Sequence, residues 1–323
     1  MDMPIVKKKG MEWWNVNRVM AWLIVLALLP LLLSACSVKR TAVNIVGNAL
    51  SGGGDVYASD DDPELIREAI PFGLKTFESL LAVSPDHKGL LLSAASGFSA
   101  YAYMLQDEAD RLDQTDLSHA RALRERARKL YLRGRDYALR RLELEHSNFI
   151  EFLKLDRTSA LAQTTEEDIP FLYWAGVSWA GALSAAKDDL TLIGDLPLAG
   201  ALVHRVLELD ETYDRGAAHE FLISYEGSRP GGSERQARRH YYRALEISGG
   251  QRASVHIALA QSVVIREQNV AEFRELISAA LAVNPDKVPE LRLVNTIARR
   301  RAHWLTKRIP DLFLEAEQKE VTK

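Results

Sequence analysis

The fold class of this chain is decided by the stretch ARRHYYRALEISG, residues 237–249. Ala237, Tyr241 and Ala244 follow one another at spacings of four and three residues, so they share one side of an α-helix. Small side chains on that side let a second helix approach closely, and the aromatic ring fills the groove between the two helices. Gly249 follows at the position where glycine commonly ends a helix. The stretch therefore predicts one helix of a packed helical hairpin.

Related stretches recur along the chain, each an amphipathic helix that ends in an apolar pair and a turn. They are LLAVSPD at 80–86, VLELD at 206–210, ALEISG at 244–249 and ALAVNPD at 280–286. The last three are 38 and 36 residues apart, which is close to the tetratricopeptide period of 34 residues. The recurrence predicts helical hairpins that stack into an α-solenoid, with an irregular helical bundle as the alternative.

Helical spacing extends over nearly the whole chain after residue 61. Asp62-Pro63-Glu64 is typical of a helix start, because it combines a capping carboxylate, a proline at the first position and an acid in the first turn. From there to residue 317 we find no run of alternating β-branched residues. We therefore expect an all-α fold of degenerate tetratricopeptide-like hairpins, in one domain over residues 62–317.

The amino terminus has the pattern of a bacterial lipoprotein signal. Three lysines at 7–9 precede an apolar run from Val19 to Leu33, and Ser34-Ala35 then leads to Cys36, the only cysteine in the chain. We expect residues 1–35 to be a cleaved signal peptide, and Cys36 to carry a diacylglycerol and an N-linked acyl chain. An uncleaved signal anchor is the alternative, but the apolar run is shorter than the ~20 residues of a spanning helix.

Acylation of Cys36 would fix the location of the mature protein. Two or three acyl chains anchor a protein stably, so we expect it in the periplasm, held to a membrane by lipid rather than spanning it. Ser37 follows the cysteine where aspartate would favour retention at the inner membrane, so we expect sorting to the outer membrane. Residues 36–61 contain three consecutive glycines and predict a lipidated flexible tether, with room for one short helix.

Composition and spacing argue against several classes of function. The formal net charge of −3 and the interleaved charges give no case for nucleic acid as a partner. The eight histidines are never four residues apart and no second cysteine exists, so neither a metal site nor a disulfide is expected. Residues 176–181 lie in a helical stretch and do not fit a catalytic serine turn. We expect neither an enzyme nor a cofactor beyond the lipid on Cys36.

Two further segments each allow a structural and a functional interpretation. The arginines between 121 and 141 predict the solvent face of a long helix that pairs partly with Glu125, Asp136, Glu143 or Glu145, and a docking patch for an acidic partner is the alternative. The richest aromatic segment is at 171–179. Core packing is the commoner use of such residues, and the functional alternative is a ligand-binding or channel-lining surface. The candidates for that surface are Phe171, Tyr173, Trp174 and Trp179.

Taken in order, the stretches of residues 41–314 resemble the T component of tripartite ATP-independent periplasmic (TRAP) transport systems. Individually the matching stretches are modest, and their order and spacing along one chain are more specific. They are DPELIREAIP (62–71), SPDHKGLL (84–91), YAY (101–103), Tyr173-Trp174 through Trp179, LELD (207–210), GGS (231–233), HYYRAL (240–245), NTIARRRA (295–302) and Leu312-Phe313.

This resemblance implies a lipoprotein of degenerate tetratricopeptide repeats that forms a homotrimer with a central channel. It also implies a partner, a periplasmic DctP-like solute-binding protein whose ligand cleft faces that channel, so that an apolar or carboxylate solute could be held or passed on. Of the individual residues, only Cys36 is carried over. The alternative is a general envelope-assembly scaffold lipoprotein that uses the same repeats without transporting a ligand.

Overall fold

The computed structural model describes residues 18, 20–22 and 39–314, and every regular element in the body is a helix. No strand occurs among the described residues, which confirms the all-α class. Short 3₁₀ turns at Glu166–Asp168, Pro285–Lys287 and Pro289–Leu291 and a π-helical turn at Ala260–Val264 connect some of the helices. The helices are α1 (39–51), α2 (Gly54–Ala58), α3 (Pro63–Leu81), α4 (Lys88–Leu112), α5 (Leu117–Glu145), α6 (Phe149–Leu155), α7 (Arg157–Ala162), α8 (Ile169–Ala185), α9 (Leu190–Asp210), α10 (Tyr213–Ser228), α11 (Glu234–Ser248), α12 (Ala253–Leu259), α13 (Val270–Ala282), α14 (Arg292–Lys307) and α15 (Ile309–Leu312).

Most long helices pack against the helices that precede and follow them. Helix α5 lies between α4 and α8, α9 lies between α8 and α10, and α10 contacts both α11 and α12. Glycines permit the closest approaches, since a Cβ atom on Gly176 of α8 would lie only 2.8 Å from the carbonyl oxygen of Ala199 on α9. The predicted role of small residues between paired helices is therefore visible in the packing.

The stretch that decides the fold class forms α11. Ser233 caps its start by accepting a hydrogen bond from the Gln236 amide, and Gly249 follows its end with φ +58°. Ala237, Tyr241 and Ala244 are all buried, as their spacing predicts. The Tyr241 hydroxyl is 3.0 Å from Nδ1 of His256 on α12. Stacking of such hairpins as tetratricopeptide repeats stays a prediction.

The last long helix returns to the first ones. Helix α14 contacts α2 and α3, Arg300 pairs with Glu64, and Arg301 pairs with Asp107 and Asp110 of α4. Each unit of an open solenoid contacts only its neighbours along the chain. The described body is therefore closed, because its terminal helices are joined by a partly buried ionic cluster.

Helix α9 passes a test of length and composition for crossing a membrane, and no other described helix does. Leu202, Val203 and Val206 of α9 are fully buried between α8 and α10. A helix packed in this way is a core helix of the body. Most of the apolar run at 19–33, the predicted cleavage site and Cys36 lie outside the described residues.

The segment predicted as a flexible tether differs from that expectation over its described part. Residues 39–51 and Gly54–Ala58 are helical, and both helices lie against the body. Arg40 donates to both carboxylate oxygens of Asp86 at 2.5 and 2.6 Å, and the His87 ring is 3.3 Å from the carbonyl oxygen of Asn44. Gly47 makes this contact possible, since a Cβ there would lie 2.9 Å from Nε2 of His87. Gly47 therefore serves the close packing of α1 against the start of α4.

Candidate functional site

The four aromatic candidates of α8 do not share one environment. Phe171 is 1% exposed and Trp179 is 3% exposed, so both belong to buried packing in the chain as described. The guanidinium of Arg135 lies 4.8 Å from the Trp179 ring centroid and covers it. Tyr173 and Trp174 are half-buried, with ring centroids 5.2 Å apart in a T-shaped contact. Trp179, although largely covered, also lines a separate cavity of about 460 Å³ together with Arg135 and other residues of α5, α6 and α9.

Tyr213, at the start of α10, extends the contact between Tyr173 and Trp174. Its ring centroid is 5.5 Å from that of Tyr173, and we call Tyr173, Trp174 and Tyr213 the interior aromatic surface. Of the three residues, Tyr213 also lines a cleft of about 430 Å³. The other residues lining the cleft are Glu166, Ile169, Pro170, Leu209 and Asp210.

The backbone directly after Tyr213 is strained. Asp214, Arg215 and Gly216 have φ angles of 42°, 55° and 85°, so three consecutive residues adopt the left-handed conformation. Such a conformation costs a residue other than glycine on the order of 1–3 kcal/mol, and it persists only where surrounding contacts hold it. Strain of this kind concentrates at ligand-binding and active sites.

Arg252, directly before α12, holds the left-handed turn in place. Its Nη1 donates to the Asp214 carbonyl oxygen at 2.7 Å, its Nη2 lies 3.1 Å from Oδ2 of Asp214, and its Nε donates to Glu220 at 2.5 Å. Arg252 is only 6% exposed. Burial alone would lower the pKa of Arg252, but the carboxylates of Glu220 and Asp214 hold this pKa above its usual value.

Tyr103 of α4 is 45% exposed. Desolvation by the surrounding protein raises its pKa to about 12, and the negative charges of Asp107, Glu220 and Asp110 add to the shift. The charge of Glu220 also acts on the phenol of Tyr173.

The phenols of this region have a defined chemistry. Burial raises the pKa of Tyr173 and of Tyr213, so both hydroxyls stay protonated at neutral pH and can donate a hydrogen bond. The aromatic faces supply apolar contact area, and each ring carries one polar group at its tip. The arrangement can therefore hold a largely apolar molecule and orient a single polar group on it.

The described residues show neither a metal-binding arrangement nor an accessible serine at 176–181. Across 39–314, no three His, Cys, Asp or Glu side chains converge in a way that could hold a metal ion. Ser178 is fully buried, and its hydroxyl lies 2.5 Å from both the Trp174 carbonyl oxygen and the Ser99 hydroxyl. These contacts satisfy the hydroxyl within the core, away from any substrate.

The arginines of α5 pair with acids on their own and neighbouring helices. Three of the four acids expected to meet them do so within α5, and others are met on α3 and α4. This agrees with a solvated helix face, and the acidic docking partner stays a prediction. The pairs are Arg128–Glu125, Arg135–Asp136, Arg141–Glu145, Arg124–Asp110, Arg124–Asp113 and Arg133–Glu78.

Three histidines that are far apart in the sequence lie close together in the structure. Nδ1 of His219 on α10 is 2.9 Å from Nδ1 of His240 on α11, and the His204 ring on α9 lies 6.4 Å from that of His240. We call these residues the histidine cluster. Burial lowers the pKa of all three, and the neighbouring imidazoles help to lower that of His240 to about 4. The charged side chains acting on these rings are Glu208, Glu211, Glu226, Arg229, Arg239 and Arg243.

The histidine cluster predicts a loss of stability on acidification. A histidine whose folded pKa lies below the unfolded value of 6.5 takes up more protons when the protein is unfolded. The protein therefore keeps its full stability above pH 6.5 and loses stability as the pH falls towards 4. Allowing for partial exposure, we expect the free energy of unfolding to fall by about 1–2 kcal/mol between pH 7.5 and 5 through His240. Denaturant titrations of the wild type and His240→Asn check this. In His240→Asn the free energy of unfolding should lose the part of its pH dependence that His240 contributes. In His303→Asn, a matched variant at an exposed histidine, the pH dependence should equal that of the wild type.

The comparisons with known proteins cover the same body. The profile of a family described as the TRAP transporter T-component matches residues 59–313, from the end of α2 to α15. An uncharacterised protein of Treponema pallidum (strain Nichols) is 29% identical over 307 residues, covering 88% of this chain and 95% of that protein. The family match spans well over half of the chain and includes the interior aromatic surface, the left-handed turn and Arg252. This chain belongs to the TRAP transporter T-component family.

Proposed function

We propose that this protein is a lipid-anchored periplasmic component of a TRAP transport system that docks a DctP-like solute-binding protein and holds the solute on its interior aromatic surface. The family match supports the role in a TRAP system. The anchor is the acylated Cys36 at the outer membrane, and the working assembly is a homotrimer. No catalytic step is part of this role.

The observation that carries the proposal is the interior aromatic surface beside the left-handed turn. Tyr173, Trp174 and Tyr213 form a continuous aromatic contact, and Tyr213 reaches a cleft that is open to solvent. The three rings supply apolar contact area and the two phenol hydroxyls supply fixed polar groups, as in small-molecule sites, while the cleft itself also carries the acids Glu166 and Asp210. The backbone strain at Asp214 and Arg215 lies directly next to it.

The charges of the region favour an apolar solute over a carboxylate. Arg252 already bonds three acceptors on Asp214 and Glu220, and Arg301 is paired with Asp107 and Asp110. A solute carboxylate would have to displace these acids and would meet their negative charge. Phenol hydroxyls at Tyr173 and Tyr213 can instead bond one neutral polar group on a mainly apolar molecule.

Docking and assembly are tested with the intact acylated protein in detergent. Sedimentation should give a mass of three chains, and the purified solute-binding protein of the same transport system should join the complex. A monomer that ignores the binding protein would support the envelope-assembly scaffold instead. Because both measurements use native protein, they do not depend on knowing the solute.

Ligand holding is tested by Tyr213→Ala. A fluorescent long-chain alcohol, which is apolar with one neutral polar group, serves as the probe. Its dissociation constant should rise about tenfold in the variant, since one aromatic contact contributes on the order of 1.4 kcal/mol. Tyr242→Ala is the matched control, because Tyr242 is a tyrosine of α11 that is 66% exposed. Equal affinities for wild type, Tyr213→Ala and Tyr242→Ala would show that the interior aromatic surface does not hold the probe.

A further inference from the structure

Helix α1 has its apolar side turned away from the protein. Ala42, Ile45, Val46, Ala49 and Leu50 are all exposed, with Ile45 at 66%, Val46 at 47% and Leu50 at 42%. Their spacing of i, i+3, i+4, i+7 and i+8 is the apolar stripe that a helix of a soluble protein buries. No charged residue occurs between 41 and 51. The exposed side of α1 is therefore a continuous uncharged apolar stripe.

The opposite side of α1 makes the contacts with the body. Val43, Asn44, Gly47 and Ser51 are partly or fully covered, although two of these four are polar and one is glycine. Gly47 approaches His87 and Leu90 at the start of α4, and Ser51 lies against Gly89. The orientation is thus set by specific close packing and by the pairing of Arg40 with Asp86. It is the reverse of the orientation that hydrophobic burial within this chain would select.

The exposed apolar surface continues beyond α1. Val56 of α2 is 70% exposed, and the Tyr57 hydroxyl next to it lies against Gly73 in the middle of α3. Phe72, adjacent to Gly73, is 81% exposed, which makes it the most exposed phenylalanine among the described residues. Single exposed apolar side chains are ordinary, but the several exposed apolar side chains of the α1 stripe mark an interaction surface.

The position of α1 in the chain identifies what covers this surface. Residue 39, where α1 begins, is three residues after Cys36. Three residues span at most about 10 Å, so an acylated Cys36 holds the start of α1 at the membrane surface. A helix of 13 residues is roughly 20 Å long and can lie flat, with its stripe at the boundary between headgroups and acyl chains.

We infer that α1 is a membrane-interface helix, whose stripe of Ala42, Ile45, Val46, Ala49 and Leu50 inserts into the periplasm-facing leaflet of the membrane beside the acyl chains of Cys36. This inference rests on the proposed lipid anchor. Because α1 is packed rigidly on α4, insertion also fixes the orientation of the whole body on the membrane. The lipid anchor then acts together with a protein surface, and the body is not held by a flexible tether alone.

The test uses one thiol-reactive fluorophore on the intact acylated protein. Cys36 is the only native cysteine, and acylation blocks it, so Ile45→Cys supplies the sole free thiol. On phosphatidylcholine–phosphatidylglycerol vesicles that contain nitroxide-labelled lipid, we expect emission from position 45 to be quenched at least about twofold. The matched control is Leu190→Cys, an exposed leucine on α9, which should show no quenching.

Each further outcome decides between specific alternatives. Anchored protein with no quenching at position 45 overturns the inference and leaves the anchor intact. Failure of the proposed anchor has a separate signature, because the protein then incorporates no radiolabelled palmitate and behaves like Cys36→Ala.

Discussion

Replacing Arg252 by alanine should destabilise the protein by about 4 kcal/mol, because the change removes one partner of a buried ion pair and leaves the other uncompensated. Glu220 would lose the guanidinium that bonds it, and the Asp214 carbonyl would lose its donor. The left-handed turn at 214–216 would also lose the contact that offsets its backbone strain. Thermal unfolding should therefore begin about 10 °C lower, given the usual relation between free energy and midpoint for chains of this size.

Arg243 supplies a matched control for this experiment. It also bonds two carboxylates, those of Glu211 and Glu246, but its side chain is 36% exposed. Exposed pairs contribute little because water screens them, so Arg243→Ala should cost less than about 1 kcal/mol. Arg252→Lys should recover only part of the loss, since lysine cannot bond Asp214 and Glu220 through a planar fork. Equal effects for Arg252→Ala and Arg243→Ala would show that burial of the Arg252 cluster contributes nothing to stability.

Local patterns in the sequence predicted much of the helical framework. The spacing of Ala237, Tyr241 and Ala244 identified α11 and its buried side, and Asp62 caps α3 by accepting hydrogen bonds from Glu64 and Leu65. Both features depend on residues within one or two helical turns of each other. Such signals are contained in a short window, which is why a single sequence reveals them.

Which side of α8 stays accessible could not be predicted from the sequence. Helix α8 is apolar on all sides, so its periodicity does not show which aromatic residues face the core. Phe171 and Trp179 are buried, while Tyr173 contacts Tyr213, which is 40 residues further along the chain. The left-handed turn gave an equally weak signal, because only Gly216 among its three residues favours positive φ.

The orientation of α1 was hidden for a different reason. Three consecutive glycines at 52–54 and the acids that follow are typical of a spacer, and they suggested a tether. The contacts that fix α1 join Arg40 to Asp86 and Asn44 to His87, more than 40 residues away. Short-range patterns predict where a helix forms, but distant partners determine which side of it is exposed.

Replacing Asp107 by alanine should cost about 3 kcal/mol and loosen the closure of the helical array. Asp107 is 4% exposed and lies within 3.4 Å of the guanidinium groups of Arg111, Arg300 and Arg301. Two of these arginines belong to α14, so one buried carboxylate joins the last long helix to α4. Its removal leaves Arg301 with only Asp110, and Arg300 with only the exposed Glu64, to offset positive charges that lie close together.

Asp107→Ala should destabilise α14 and the facing part of α4 more than the rest of the protein. Hydrogen exchange should show lost protection in α14 and in the facing part of α4, while α8 and α9 keep theirs, because stability is not uniform across a structure. Glu64→Ala is the control, since Glu64 also pairs with Arg300 but is 63% exposed, and it should cost less than about 1 kcal/mol. Uniform exchange across all helices would show instead that α14 is held by its apolar contacts.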